Sequence, residues 1–198
     1  METNYEQFSS ELSTLLTTYP PPFIYIQDSE AFKSTCQVVN SILQDISGSS
    51  TSPSSLFSSH TDPNSFIIHS ARIDAVSTFT SRLLFEAVIN SLAGWDVNWE
   101  DGCSNWHLNP DEGGDSRWNE NVDTFIHGLR AVHGHLSSQH GISLGKSKGK
   151  QKENSTATED IRLVIVIERA ERLKETNPEL VVPLTRLAEM VNPKKSFF

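Results

Sequence analysis

Leu163-Val164-Ile165-Val166-Ile167-Glu168 is the stretch on which the fold turns. Five aliphatic residues stand in a row, four of them β-branched, and a carboxylate closes the run. A run apolar at every position predicts a strand covered on both faces, the habit of parallel sheets. Two shorter runs have the same character. Phe66 to Ala71 reads as a second buried strand, and Phe23-Ile24-Tyr25-Ile26, entered from Pro20-Pro21-Pro22, as a third. Residues at helical spacing fill the intervals. They include Tyr5, Phe8 and Leu12 before the prolines, and Phe32, Cys36, Val39, Leu43 and Ile46 after the first run. Asp74 to Ser77 turns into a helix with Phe79, Leu83, Leu84, Val88 and Leu92 on one face, which Gly94 closes. Another helix is marked by Trp118, Val122, Phe125, Leu129, Val132 and Leu136. Thr176-Asn177-Pro178-Glu179 starts a last helix, which Pro183 kinks or restarts. Strands alternating with helices predict an α/β layered domain with a mostly parallel sheet.

Two segments break the pattern. Residues 47–64 are dominated by Ser, Thr, Pro and Gly, and residues 141–160 by Lys, Gly and Ser, so both read as low-complexity inserts in one domain spanning residues 1–198. Sixteen basic against 25 acidic residues leave a net charge of −9. That balance argues against an unaided grip on DNA or RNA, which needs a basic face. Two cysteines exclude a disulfide-dense scaffold and favour a reducing compartment. The acidic first 19 residues do not read as a signal peptide, and no apolar run approaches the roughly 18–20 residues that span a bilayer.

One chemical pattern stands out. A strand, a polar loop carrying Lys33-Ser34 and a helix make the frame of a phosphate-binding loop, G-x-x-x-x-G-K-[ST]. Lysine and serine are in register, but Gln27 and Phe32 replace the two glycines. Those glycines permit positive φ and let bare N–H groups approach a phosphate; a phenyl ring does neither, and Asp28 and Glu30 add repulsion. Lys33 is therefore either a solvated helix residue or a residual nucleotide contact. Glu168 sits where an acid at a strand end would hold Mg²⁺ through water, or it merely ends the strand. The next residue, Arg169, stays protonated and cannot polarise an attacking water. Other patterns are weaker. Gly141-Ile142-Ser143-Leu144-Gly145 lacks the strand before and helix after that a nucleophile elbow needs. His133 and His135 do not share a helix face, so no zinc site is expected. The tryptophans Trp95, Trp99, Trp106 and Trp118 read as a satellite core or partner surface, and the lysines Lys146 to Lys152 as a solvated linker.

The triple proline running into Phe23–Ile26, Phe79-Thr80-Ser81-Arg82-Leu83-Leu84-Phe85-Glu86, Phe125-Ile126-His127-Gly128-Leu129-Arg130, and Ile167-Glu168-Arg169-Ala170-Glu171-Arg172-Leu173 together resemble the fifth-subunit family of the eukaryotic origin recognition complex, in a fungal-looking version. Pro183-Leu184-Thr185-Arg186-Leu187 fits the same family. The resemblance implies an AAA+ (P-loop NTPase-like) three-layer sandwich with strand order 5-1-4-3-2, in which the three runs are the first, second and third strands. It implies that the later strands, the lid and the winged helix are missing from a chain that stops at Phe198. It places Lys33 and Ser34 on nucleotide-contacting positions and Glu168 on the Walker B acid. With both glycines gone, ATP and Mg²⁺ are expected to bind weakly or not at all, and no catalysis is expected. The implied role is a non-catalytic subunit acting in replication initiation, in the nucleus, through the neighbouring fourth and third subunits of the ring. Origin DNA is met only through the complex, and no membrane is involved. Two rivals remain open on the residues alone: an active P-loop ATPase or nucleotide switch, and an unrelated α/β interaction domain.

Overall fold

The computed structural model describes residues 2–18, 20–28, 30–48, 66–95, 117–139 and 160–191. Helices α1 (Glu2–Thr17) and α2 (Phe32–Gly48) precede strand β1 (Phe66–Asp74) and helix α3 (Ser81–Ala93). Helix α4 (Val122–Gln139) leads to strand β2 (Asp160–Glu168), and three short helices follow: α5 (Leu173–Thr176), α6 (Val181–Thr185) and α7 (Leu187–Val191). The chain is thus α/β. Among the described residues it has seven α-helices and one two-stranded parallel sheet. β1 and β2 pair over nine positions, from Phe66 opposite Asp160 to Asp74 opposite Glu168.

The register sorts the side chains onto two faces, because paired residues in a parallel ladder point the same way. One face carries Ala71 and Ile73 of β1 and Ile165 and Ile167 of β2. It joins Leu84, Phe85, Val88 and Leu92 of α3 and Phe125, Leu129 and Val132 of α4 in the main core. Phe85 and Phe125 stack with centroids 4.3 Å apart and fix the crossing of α3 on α4. The other face carries Ile68, Ser70 and Arg72 with Val164 and Val166, and α2 packs on it. α1 lies against α2. Its last turn is held by the Arg162 guanidinium, which donates to the carbonyls of Leu16 and Thr17 at 3.0 Å each and stacks over the Phe66 ring at 3.8 Å.

Local sequence sets the helix ends. The Thr80 hydroxyl accepts the Leu83 N–H at the start of α3, and Gly94 closes it in the left-handed conformation at φ 66°. Asn121 and Thr124 cap α4 reciprocally: the Asn121 side chain accepts the Thr124 N–H at 2.9 Å, and the Thr124 hydroxyl accepts the Asn121 N–H at 3.1 Å. Arg130 of α4 donates to the Met190 and Val191 carbonyls and satisfies the end of α7.

Several expectations are corrected. Phe23–Ile26 is not a strand: it lies outside every helix and strand, with Phe23, Tyr25 and Ile26 exposed. β-propensity does not make a strand without a ladder partner, and among the described residues the sheet is made by β1 and β2. Ala75–Ser77 form a turn after β1, and α3 begins only at Ser81 because Thr80 caps it there, so Phe79 lies outside the helix and its ring stays exposed. Trp118 precedes α4, whose cap is Asn121. The helix expected from Pro178 is a 3₁₀ turn (Pro178–Leu180) followed by α6 and α7; Pro183 sits in the first turn of α6, where its missing N–H is no loss, and the break falls at Arg186. Residues 47 and 48 belong to α2 and residue 160 to β2; the rest of the inserts, the nucleophile-elbow match, the lysine run, Cys103, Trp99 and Trp106 lie outside the described residues.

Gly128 lets α4 approach its surroundings closely. A Cβ there would meet Ile89 Cδ1 at 2.7 Å and Trp118 Cβ at 2.8 Å, whereas at Gly134 it would meet nothing within 4 Å. Gly128→Ala is expected to destabilise by about 1–3 kcal/mol through overpacking. Gly134→Ala is expected to stabilise by about 0.5–1 kcal/mol through helix propensity. Urea denaturation of the two variants should move the midpoint in opposite directions.

Candidate functional site

The carboxyl ends of β1 and β2 meet the first turns of α2, which brings together the residues singled out by the sequence. β1 delivers Arg72 and Asp74, β2 delivers Glu168, and Arg169 follows directly. These four close into two crossed ion pairs, Arg72 with Glu168 and Arg169 with Asp74, each joining one strand to the other. The Ala75 N–H adds a hydrogen bond to the Glu168 carbonyl at 3.0 Å, continuing the ladder one step past the strands. Arg169 adopts the left-handed conformation at φ 54°, a cost of roughly 1–2 kcal/mol for a residue with a Cβ. Its ion pair with Asp74, which also accepts the Val76 N–H at 3.0 Å, holds it there.

Cys36, on the second turn of α2, completes the cluster. Its thiol is pushed up to about 11. Burial is the first cause; a hydrogen bond to Glu168 and the charge of Glu168 add to it, while Arg72 and Arg169 oppose it. The thiol is therefore protonated at neutral pH and serves as a donor to Glu168, not as a nucleophile.

The loop before α2 is closed from within. The Asp28 carboxylate accepts the Glu30 N–H at 2.9 Å and the Ala31 N–H at 2.8 Å, and its second oxygen accepts the Thr35 hydroxyl. The Ala31 carbonyl in turn takes the N–H groups of Ser34 and Thr35. Asp28 thus stands as the anion at the start of the helix. These bonds hold its carboxyl below the usual 3.8, the Ala31 N–H contributing most.

Lys33 and Ser34 are exposed on the first turn of α2. Among the described residues neither side chain makes a hydrogen bond or ion pair, and the cation that Glu168 takes is Arg72, not Lys33. The motif residues Lys33 and Ser34 do not engage the acid: Glu168 is taken by Arg72, which no sequence pattern singles out. Arg72 and Asp74 carry no motif, and their partners stand 96 and 95 residues away in the chain. Cys36 was visible only as one member of an apolar stripe. Asp28 reads in the sequence only as a charge that repels a phosphate; its role in accepting the Glu30 and Ala31 N–H groups is seen in the structure. Among the described residues no group of three or more His, Cys, Asp or Glu is arranged to hold a metal ion. Comparison with protein-family models, curated proteins and solved structures returns no match of any kind.

Two measurements follow from this geometry. The depressed Asp28 carboxyl stabilises the fold at pH values above its ordinary 3.8, and that contribution is lost as the pH falls below 3.8 through the lower folded value. Asp28→Asn, which cannot ionise, should lower the thermal midpoint near neutral pH and flatten its fall between about pH 5 and pH 3. In a Cys103→Ser background, Cys36 should alkylate slowly at pH 8, since roughly one thiol in a thousand is ionised there with a value of about 11. Glu168→Gln, by removing the negative charge, should speed that alkylation several-fold.

Proposed function

We propose that this chain is a non-catalytic, AAA+-like subunit of the eukaryotic origin recognition complex, acting in replication initiation through protein contacts in the nucleus. The motif phrases around Phe79–Glu86, Phe125–Arg130 and Ile167–Leu173 support the family. The alternation of helices with parallel strands is compatible with part of such a sandwich. One observation carries the non-catalytic part of the reading: the groups that would bind a Mg-nucleotide are already engaged by the chain's own side chains. Glu168 is neutralised by Arg72, Arg169 stands where a second acid would be needed, and Asp28 holds the N–H groups of the loop. The residues at these positions do not fit a triphosphate with its metal, and no hydrolytic step is derived through them.

A subunit of this kind works by surface, not by turnover. Its contacts would be with ring neighbours, the fourth and third subunits foremost, and it would meet origin DNA only as part of the assembly. No described helix is long and apolar enough to cross a membrane. Affinity purification of the tagged chain from nuclear extract, with mass spectrometry, is expected to enrich origin-complex subunits. Recovery of none of them, with unrelated proteins enriched reproducibly instead, would support an unrelated interaction domain and overturn the reading.

A further inference from the structure

α1 is held to the rest of the chain by little. Among the described residues Leu12 is its one buried side chain. Leu12 and Ile42 of α2 are both buried, yet neither belongs to the core around Phe85 and Phe125. α1 and α2 therefore form a thin outer layer on the far face of the sheet. The helix has weak support of its own. Its 16 residues include three serines and three threonines, and its last turn carries no basic residue. A helix of that length and composition is marginal in water. Nor does its first half lie flat on α2, because an open cleft separates Tyr5, Ser9 and Ser13 from Val38 and Ser41.

The missing cap comes from a distant strand. Arg162 of β2 donates to the Leu16 and Thr17 carbonyls at 3.0 Å each, from 146 and 145 residues away. Among the described residues this fork is the one polar side-chain link between α1 and another element. A guanidinium at a helix C-terminus satisfies orphan carbonyls and complements the negative end of the helix dipole. Stacking on the Phe66 ring at 3.8 Å holds the fork in place.

We propose that α1 is a conditional helix, a strap over α2 that opens and refolds independently of the main core, with Arg162 as its latch. Ile42 lies one turn beyond Val38, so it shares the side of α2 that faces α1. Closed, the strap covers that side; open, it uncovers it and leaves α3, α4 and the sheet intact. Pro20-Pro21-Pro22 cannot extend the helix and separates its motion from that of α2. A partner that binds either surface shifts the balance between the two states. The inference rests on α1, α2 and β2 alone and is independent of the origin-complex reading.

Hydrogen exchange of the full chain, read by mass spectrometry, tests it. Amides of α1 are expected to exchange at least about tenfold faster than those of α4. Arg162→Lys keeps the charge and loses the planar fork. It should speed exchange in α1 by a further several-fold and leave α3 and α4 unchanged. Ser10→Ala with Thr14→Ala, at two exposed positions of α1, raises helix propensity and should restore protection in the Arg162→Lys chain. Exchange in α1 as slow as in α4 overturns the proposal, because the helix would then open only with the core. Unchanged exchange of α1 in Arg162→Lys overturns it as well, as does acceleration that spreads equally to α3 and α4. Failure of the alanine pair to restore protection overturns the assignment of Arg162 as the cap of this helix.

Discussion

The parallel ladder between β1 and β2 is the constraint on which the rest of the structure depends. Its two strands are separated by more than 80 residues of sequence, and their nine-position register decides which side chains meet. With Ala71 opposite Ile165 and Ile73 opposite Ile167, the aliphatic face turns to α3 and α4 and closes the core around Phe85 and Phe125. A slip of one residue would send Arg72 and Glu168 into that core and the isoleucines out of it. The same register sets Arg72 and Asp74 beside Glu168 and Arg169, so the charge network at the carboxyl end is a by-product of the pairing that makes the core.

That network determines what the end of the sheet can do. In open parallel sheets this is where ligands are received, because loops and helix N-termini converge there. Here the convergence is spent internally. Two arginines neutralise two carboxylates, a protonated cysteine donates to one of them, and an aspartate caps the adjoining helix. Each of these contacts satisfies a polar group that would otherwise await a ligand. Removing one partner of a pair would leave the other charged and unpaired, so the cluster is better read as a clasp between the two strands than as a receiving site.

The sequence and the structure agree where the physical cause is local or massive. Five aliphatic residues in a row made β2 readable, and Gly94 marked the end of α3 because a left-handed residue is needed there. Agreement ends where the cause is distant. Phe23–Ile26 has the composition of a strand, yet strandhood requires a neighbour, and propensity says nothing about whether one is present. Phe79 has the spacing of a helix face, but the Thr80 cap starts the helix after it. Its position is fixed from afar, where Asn177 donates to its carbonyl at 3.0 Å. At the candidate site, Lys33, Ser34 and Glu168 were singled out by a degenerate motif. The ion pair of Arg72 with Glu168 was not, since two charges 96 residues apart carry no pattern that links them.

That the nucleotide-like positions of this chain are closed from within is the point on which the proposed reading turns. Isothermal titration of the purified chain with Mg-ATP addresses it most directly. The account predicts no saturable heat up to millimolar nucleotide, with Lys33→Ala indistinguishable from the parent. A dissociation constant below about 1 μM that is abolished by Lys33→Ala would contradict it, because the phosphates would then have displaced Asp28 from the loop and Arg72 from Glu168.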